Sequence, residues 1–321
     1  MKKRTKLIKK VVSVGDKVRL GTIDQNDEKI EAAEEILKEI FETEDGRTEL
    51  ATEIKSYIED KYYKFNFADY VFEKRRFKVT DIPTFKTHKK GIIAYKTAPD
   101  SYVPKSENYE TEFTMNFVNM GVRPTAQLID LKTGRISALS ELINDAYEAM
   151  NTLTIKESLD CLSQTFNATV NKDNFVETNT VNKAALDKMI NRVRKKTLKR
   201  PTIIGNYDLL TQIEAFPEYK GMEPVYNEIR KDGLLGMYRG CKLVYVPDIE
   251  DPVTHKPLFP EDRIMIVSEK VGFFATQGEM QSEQEKDIND NSWSCRIDQR
   301  YGLLVTHPEG LAVIKIVPSQ D

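Results

Sequence analysis

The longest uninterrupted helical pattern in the chain does most to limit its fold. From Ser137 to about Gln164 there is neither proline nor glycine, and apolar side chains fall at Leu139, Leu142, Ile143, Ala146, Met150, Leu153, Leu159 and Leu162, the three-and-four spacing of an amphipathic helix. Ser137 is placed as its N-cap, with Glu141 in the following turn. At 1.5 Å per residue, ~28 residues make a rod of roughly 40 Å, long for a helix inside a globular enzyme. Such a rod crosses a large domain or lies along a sheet, and its apolar stripe must be covered by other parts of the molecule.

Shorter elements surround it. Ile30, Ala33, Ile36, Leu37 and Ile40 mark a helix over Asp27 to Phe41, and Leu50, Ile54, Tyr57 and Ile58 mark another after an Asp45-Gly46 break. The stretch "YYKFNFADYVFEKRRFKV" then turns strand-like. Beyond a polar connection, "NATVNKDNFVETNTVN", helices and short apolar strands alternate from Lys183. The helices are "KAALDKMINRVRKK", "YDLLTQIEAF" and "MEPVYNEIRKDG", and the strands "PTIIGN", "CKLVYVPD" and "DRIMIVS". From Gly272 the pattern is extended again: "GFFATQGEM", an acidic turn "QSEQEKDINDN", then "WSCRIDQRYGLLVTHPEGLAVIKIV". Trp293, the only tryptophan, is expected in the core.

One segment resists this reading. "FKTHKKGIIAYKTAPDSYVPKSENYETEF", Phe85 to Phe113, is two extended pieces joined by a polar tip, and neither carries enough apolar surface to make a core of its own. At 321 residues and 40% hydrophobic composition, the rest of the chain is ample for one large domain or two ordinary ones.

Charge is uneven although the net is only -3. Lys2, Lys3, Arg4, Lys6, Lys9, Lys10, Lys17 and Arg19 crowd the first twenty residues against the single acid Asp16, and acids dominate from Asp24 to Asp60. The basic segment reads equally as a solvated tail or as a contact for phosphates or an acidic partner. Arg192, Arg194, Lys195, Lys196, Lys199 and Arg200 gather at a helix end, where cations complement the dipole. No apolar run reaches the length of a membrane span and the N-terminus lacks a signal-peptide core, so a soluble chain without membrane partners is expected.

Enzyme chemistry finds no anchor. Cys161, Cys241 and Cys295 are far apart, and His88, His255 and His307 have no ligand-spaced partners, so no metal site is expected. The glycines of "DGLLGMYRGCK" fit neither phosphate-loop spacing and follow a helix rather than a strand, and they are assigned to turns. There is no G-x-S-x-G elbow. No catalytic residue and no cofactor are assigned.

Three segments carry a family likeness. "KRPTIIGNYDLL" (Lys199 to Leu210), "IRKDGLLGMYRGCKLVYVPD" (Ile229 to Asp248) and "QRYGLLVTHPEGLAVIKI" (Gln299 to Ile316), in that order and spacing, resemble tailed-bacteriophage major capsid proteins of the Hong Kong 97 type. The resemblance implies an α+β fold with an N-terminal arm (1–46), a first part of the peripheral domain (47–78), an extended β-hairpin loop (79–120), a peripheral domain with a long spine helix (121–170), an axial domain (171–271), further peripheral strands (272–303) and a C-terminal axial strand (304–321). It implies self-assembly into pentamers and hexamers of an icosahedral head around double-stranded DNA. The phage virion is the implied location, with assembly in the host cytoplasm. Scaffolding, portal and decoration proteins are the implied partners, and DNA is touched non-specifically.

On this reading the resistant segment is a hairpin, with strands "GIIAYKT" and "NYETEFTMNF", that lies on a neighbouring subunit. Ile92, Ile93, Tyr95, Tyr102 and Tyr109 are its expected contacts, and Lys2, Lys3, Arg4, Lys6, Lys9 and Lys10 are assigned to the shell interior or an internal partner. Some members of the family cross-link this loop through lysine; Lys89, Lys90 and Lys105 lie in it, with solubility their favoured reading. The rival readings are an encapsulin-type nanocompartment packaging a cargo enzyme, an α/β enzyme built on Lys183 to Ser268, and a nucleic-acid-binding protein led by the basic tail.

Overall fold

The computed structural model describes residues 2–22, 28–62, 71–89, 96, 105–107, 109–221, 234–246, 250–251, 254–268, 270–287 and 289–317. Three helices open the chain: α1 (Lys2–Arg19), α2 (Glu28–Glu42) and α3 (Glu44–Tyr62). In α2 the stripe expected from the spacing is buried at Ile30, Ala33, Leu37, Ile40 and Phe41. The first helix departs from expectation. Instead of a solvated tail it is an amphipathic helix that buries Ile8, Val11, Val12 and Val14 against the spine, α2 and α3. Lys6, Lys9, Lys10 and Lys17 occupy its outer face, and the abundance of lysine in the segment hides the apolar stripe.

Glycine and threonine set the α2–α3 corner. The Gly46 amide donates to Thr43 Oγ1 at 3.1 Å, so Thr43 caps a helix that begins at Glu44, before the expected Asp45-Gly46 break. A Cβ on Gly46 would lie 2.2 Å from the Ile40 carbonyl oxygen, a distance no side chain tolerates. Arg47 Nη1 donates to the Phe41 carbonyl at 2.8 Å and closes the corner.

After the short α4 (Leu128–Lys132) comes the spine, α5, over Ile136–Thr165, 30 residues long. Ser137 is not its cap: the helix starts one residue earlier, after an extended Arg135 with no side-chain cap. The expected stripe is buried except for Leu153, which is half-buried, and Ile136, Thr154, Ile155 and Ser158 join it. Gly15 allows α1 to lie close, since a Cβ there would stand 3.1 Å from Ile136 Cγ2.

A first sheet has the order β1 (Phe72–Phe77), β12 (Gly272–Asp287), β13 (Ser292–Val305) and β4 (Val118–Val122), with β5 (Thr125–Gln127) also on β13. The acidic stretch expected as a turn is mostly strand: Gln281–Asp287 pairs with Ser292–Asp298. Trp293, Cys295 and Ile297 are buried, and the partner strand that supports them keeps its acids on the solvent side. Trp293 meets Phe41 edge-on with ring centroids 5.4 Å apart, and its Nε1 donates to Gln284 Oε1 at 3.1 Å. Thus α2 covers the hairpin.

The second sheet has seven strands in the order β6 (Phe175–Thr178), β14 (Leu311–Ile316), β11 (Arg263–Val267), β7 (Thr202–Gly205), β10 (Cys241–Tyr245), β9 (Leu234–Tyr238) and β8 (Tyr219–Gly221). Helices α6 (Lys183–Thr197) and α7 (Tyr207–Glu214) cover one face, where Leu186, Ile190, Leu210 and Ile213 pack on Ile203, Ile264, Ile266 and Ile314. The alternate residues Ile204, Met265, Val267 and Val313 share one core with the spine. The residues "LLGMY", expected within a turn region, form β9; the turn itself is Arg239-Gly240, both with positive φ (50° and 77°), the two-residue loop that suits a hairpin. The polar connection likewise contributes β6. The helix expected over "MEPVYNEIRKDG" lies outside the described residues.

Candidate assembly surfaces

Strands β2 (Thr84–Lys89) and β3 (Tyr109–Thr114) pair antiparallel, from Thr84 opposite Thr114 to Lys89 opposite Tyr109, and belong to neither sheet. A two-stranded hairpin is marginal on its own, and here its root is held by an aromatic cluster. Phe85 stacks on Phe273 of β12 with centroids 4.3 Å apart and meets Phe77 of β1 edge-on at 5.6 Å. The Arg75 guanidinium lies 4.3 Å from the Phe273 centroid. Met115 and Ala275 complete the buried centre, with Phe113, Phe117 and Leu304 packed around it.

Above the root the described side chains Lys86, Glu110 and Glu112 are exposed, with Lys86 and Glu110 3.7 Å apart. Around the root three aliphatic side chains face solvent, Val79 at 64%, Ile82 at 77% and Val118 at 60% exposure. Large apolar groups gathered beside a projecting hairpin make a surface suited to protein contact.

Of the expected loop contacts, Tyr109 lies in β3 opposite Lys89. Ile92, Ile93, Tyr95 and Tyr102, and the strand expected over "GIIAYKT", lie outside the described residues, as does Lys90; Lys105 is exposed. Of the basic residues, Lys2, Lys3 and Arg4 fall in the first turn of α1 and Lys6, Lys9 and Lys10 on its exposed side. Lys9 is 3.7 Å from Glu53 of α3. The inner end of α1 is fixed by Asp16, which accepts from Arg19 at 3.1 Å and Lys61 at 3.3 Å. Burial raises the Asp16 pKa, but the Tyr57 hydroxyl, Arg19 and Lys61 outweigh it and hold the carboxyl below its usual range.

The spine is also tied by polar contacts to the second sheet and to the loop before β11. Lys156 Nζ lies 2.7 Å from the buried carboxylate of Asp251, and Arg263 Nη1 of β11 donates to Ser163 Oγ at 2.9 Å. Near the C-terminal end of α6, Arg192 reaches Asp173 at 3.0 Å and Lys196 reaches Glu309 at 3.6 Å.

Among the described residues the cysteines and histidines do not converge. Cys241 and Cys295 are buried, and burial pushes the Cys295 thiol up to about 12. His307 shares a hydrogen bond with Thr306 Oγ1 at 2.8 Å, and His88 stands opposite Glu110 in the hairpin. No His, Cys, Asp and Glu group among the described residues could hold a metal, and no described helix is long and apolar enough to cross a membrane. The root cluster was missed in the sequence; its signal was the recurrence of phenylalanine at Phe77, Phe85, Phe113, Phe117 and Phe273, residues that topology alone brings together.

A family model described as "SPbeta prophage-derived putative capsid protein YonB" matches residues 6–315. No curated protein matches the sequence. Among solved structures, that of Mycobacterium phage Patience superposes with a TM-score of 0.54 at 13% identity, covering 86% of this chain and 90% of that one. Gordonia phage Cozz gives 0.54 at 12% identity over 77% and 85%. The capsid of an empty GTA particle gives 0.54 at 10% identity over 79% and 91%. At these identities the likeness shows the fold, and it is the α+β, Hong Kong 97-like one that the sequence resembles.

Proposed function

The chain belongs to the family of prophage-derived capsid proteins described as YonB, and from that premise we propose that it is the major capsid protein of an icosahedral phage head, forming the pentamers and hexamers that enclose double-stranded DNA. The observation that carries the assembly mechanism is the β2–β3 hairpin. It is rooted in its own subunit by Phe85 on Phe273 and exposes Lys86, Glu110 and Glu112 beyond that root, and the next copy supplies the surface that completes it. Ile92, Ile93, Tyr95, Tyr102 and Tyr109 are the proposed contacts on that copy, and Val79, Ile82 and Val118 extend the surface at the base.

In this reading the first sheet with the spine is the peripheral domain and the second sheet is the axial domain that closes the ring. The cations of α1, Lys2, Lys3, Arg4, Lys6, Lys9 and Lys10, face the interior and neutralise phosphates of packaged DNA without reading sequence. Assembly occurs in the host cytoplasm, with scaffolding, portal and decoration proteins as partners, and the protein acts through interfaces rather than through catalysis. The loop lysines serve solubility; boiling shells in detergent tests this, since covalent ladders would assign them to cross-links.

Negative-stain microscopy of purified protein tests the reading. Uniform shells, rings or tubes are expected, and a persistent monomer under every assembly condition overturns it. Particles that carry DNA and a portal separate a phage head from an encapsulin-type compartment, which would carry a cargo enzyme. Replacing Ile92, Ile93 or Tyr95 is expected to impair assembly more than monomer stability.

A further inference from the structure

The C-terminal end of α6 carries a side chain that the fold does not use. Leu198 follows the helix in the left-handed region, with φ 59°, and its amide donates to the Arg194 carbonyl at 2.7 Å. Glycine suits such a position, because any Cβ is crowded there. Leucine takes that strain and then leaves its side chain 88% exposed, the most exposed of the large hydrophobics among the described residues. Neither the strain nor the exposure benefits the isolated chain. A surface that buried the side chain would recover the second.

A collar of cations surrounds this knob. Arg194, Lys195, Lys196, Lys199 and Arg200 are all exposed. Arg200 lies along the β9–β10 turn, its Nη1 3.7 Å from where a Cβ of Gly240 would sit. Lys196 is paired with Glu309 at 3.6 Å, and the five cations outnumber that acid. A nucleic-acid backbone would engage the cations but leave the leucine in water. An acidic protein surface that covers the leucine answers both features.

We propose that Leu198 and its collar dock on the acidic surface of a second copy of this chain, the one presented by α2. That helix exposes Glu28, Glu31, Glu35, Glu39 and Glu42 against Lys29 and Lys38, a net acidic face. It packs on α1, α3, α4 and the spine, whereas α6 packs on β11 and β14, so knob and acidic row belong to different parts of the fold, and the contact joins two copies. Two different patches make the contact heterologous, and it repeats from copy to copy as rings and shells require. The inference rests on the shell-forming reading above and names one of its interfaces.

Leu198→Gly separates folding from docking. It relieves the backbone and removes the knob, so the unassembled protein is expected to melt at the same temperature or higher, while the concentration needed for assembly rises about tenfold. Assembly of L198G at the wild-type concentration overturns the inference. Lys195→Glu with Lys199→Glu is expected to weaken assembly, and adding Glu31→Lys with Glu35→Lys to restore it; no restoration overturns the assignment to α2. Lost DNA binding with unchanged assembly makes the collar a nucleic-acid surface and also overturns it. These arms require wild-type protein that assembles; a wild type that never does so overturns the shell-forming reading itself and removes the docking contact with it.

Discussion

Lys156, in the spine helix, holds its ammonium 2.7 Å from the carboxylate of Asp251, a residue that is itself buried beside the second sheet. The pair fixes the rod to the loop leading into β11, and with Arg263 on Ser163 it makes the spine a shared strut rather than a part of one sheet alone. Asp251 also accepts from the Thr254 amide at 3.1 Å, so its loop is ordered around the same carboxylate. Lys156→Ala leaves that carboxylate short of one partner and is expected to lower stability only slightly, since the lysine is exposed and its contribution is screened by solvent. Urea denaturation of the unassembled protein measures it, and an unchanged midpoint would show the contact to be idle.

Phe85 is the anchor of the hairpin. Phe85→Ala removes the stacking on Phe273 and the edge contact with Phe77 and is expected to cost about 3 kcal/mol. Because β2 and β3 pair with no other strand among the described residues, much of that loss should appear as local release. Limited proteolysis should then cut within 84–114 faster than in the wild type while the two sheets resist. Equal protection of the variant hairpin would contradict the anchoring role.

Gly46 tests the helical corner. Its missing Cβ is what lets the end of α2 approach the start of α3, and Gly46→Ala must displace the Ile40 carbonyl or the capping Thr43. A loss of about 2 kcal/mol is expected, against the gain that alanine ordinarily brings inside a helix. Thermal unfolding decides the sign; a more stable variant would refute the close approach.

Asp16 gives the acid side of the stability profile. Its folded pKa is depressed, so its contribution is fully present above the unfolded value of about 3.9 and is lost as pH falls through the folded value. Asp16→Asn should therefore be less stable than the wild type at neutral pH, and the gap should close in strong acid. Stability curves for the two proteins measured from pH 7 downward check this, and a gap independent of pH would remove Asp16 from the account.

Much of this architecture is legible in the sequence. The spine, α2, and the β7–α7, β10 and β11 segments carry periods of three-to-four or two along their own residues, and each folds as that period requires. The hairpin was legible as a segment without a core, but its root was not. Phe77, Phe85, Phe113 and Phe273 come from four different strands, and nothing local says that they meet. The same holds for Leu198, whose exposure and backbone conformation depend on where α6 stops.

The amino-acid sequence by itself determined the long rod, the alternation of helix and strand around the second sheet, and the absence of a self-sufficient core in the arm, because periodicity and breakers act over a few residues. Only the tertiary structure decided that α1 is a packed helix, that Gln281–Asp287 continues β12, and that Leu234–Tyr238 is a strand. In each case polar side chains hide the pattern, and what fixes the conformation is a distant surface: the spine under Ile8 and Val11, the buried side of Trp293, the strand edge of β10. Burial is a property of two surfaces, and a sequence displays them one at a time.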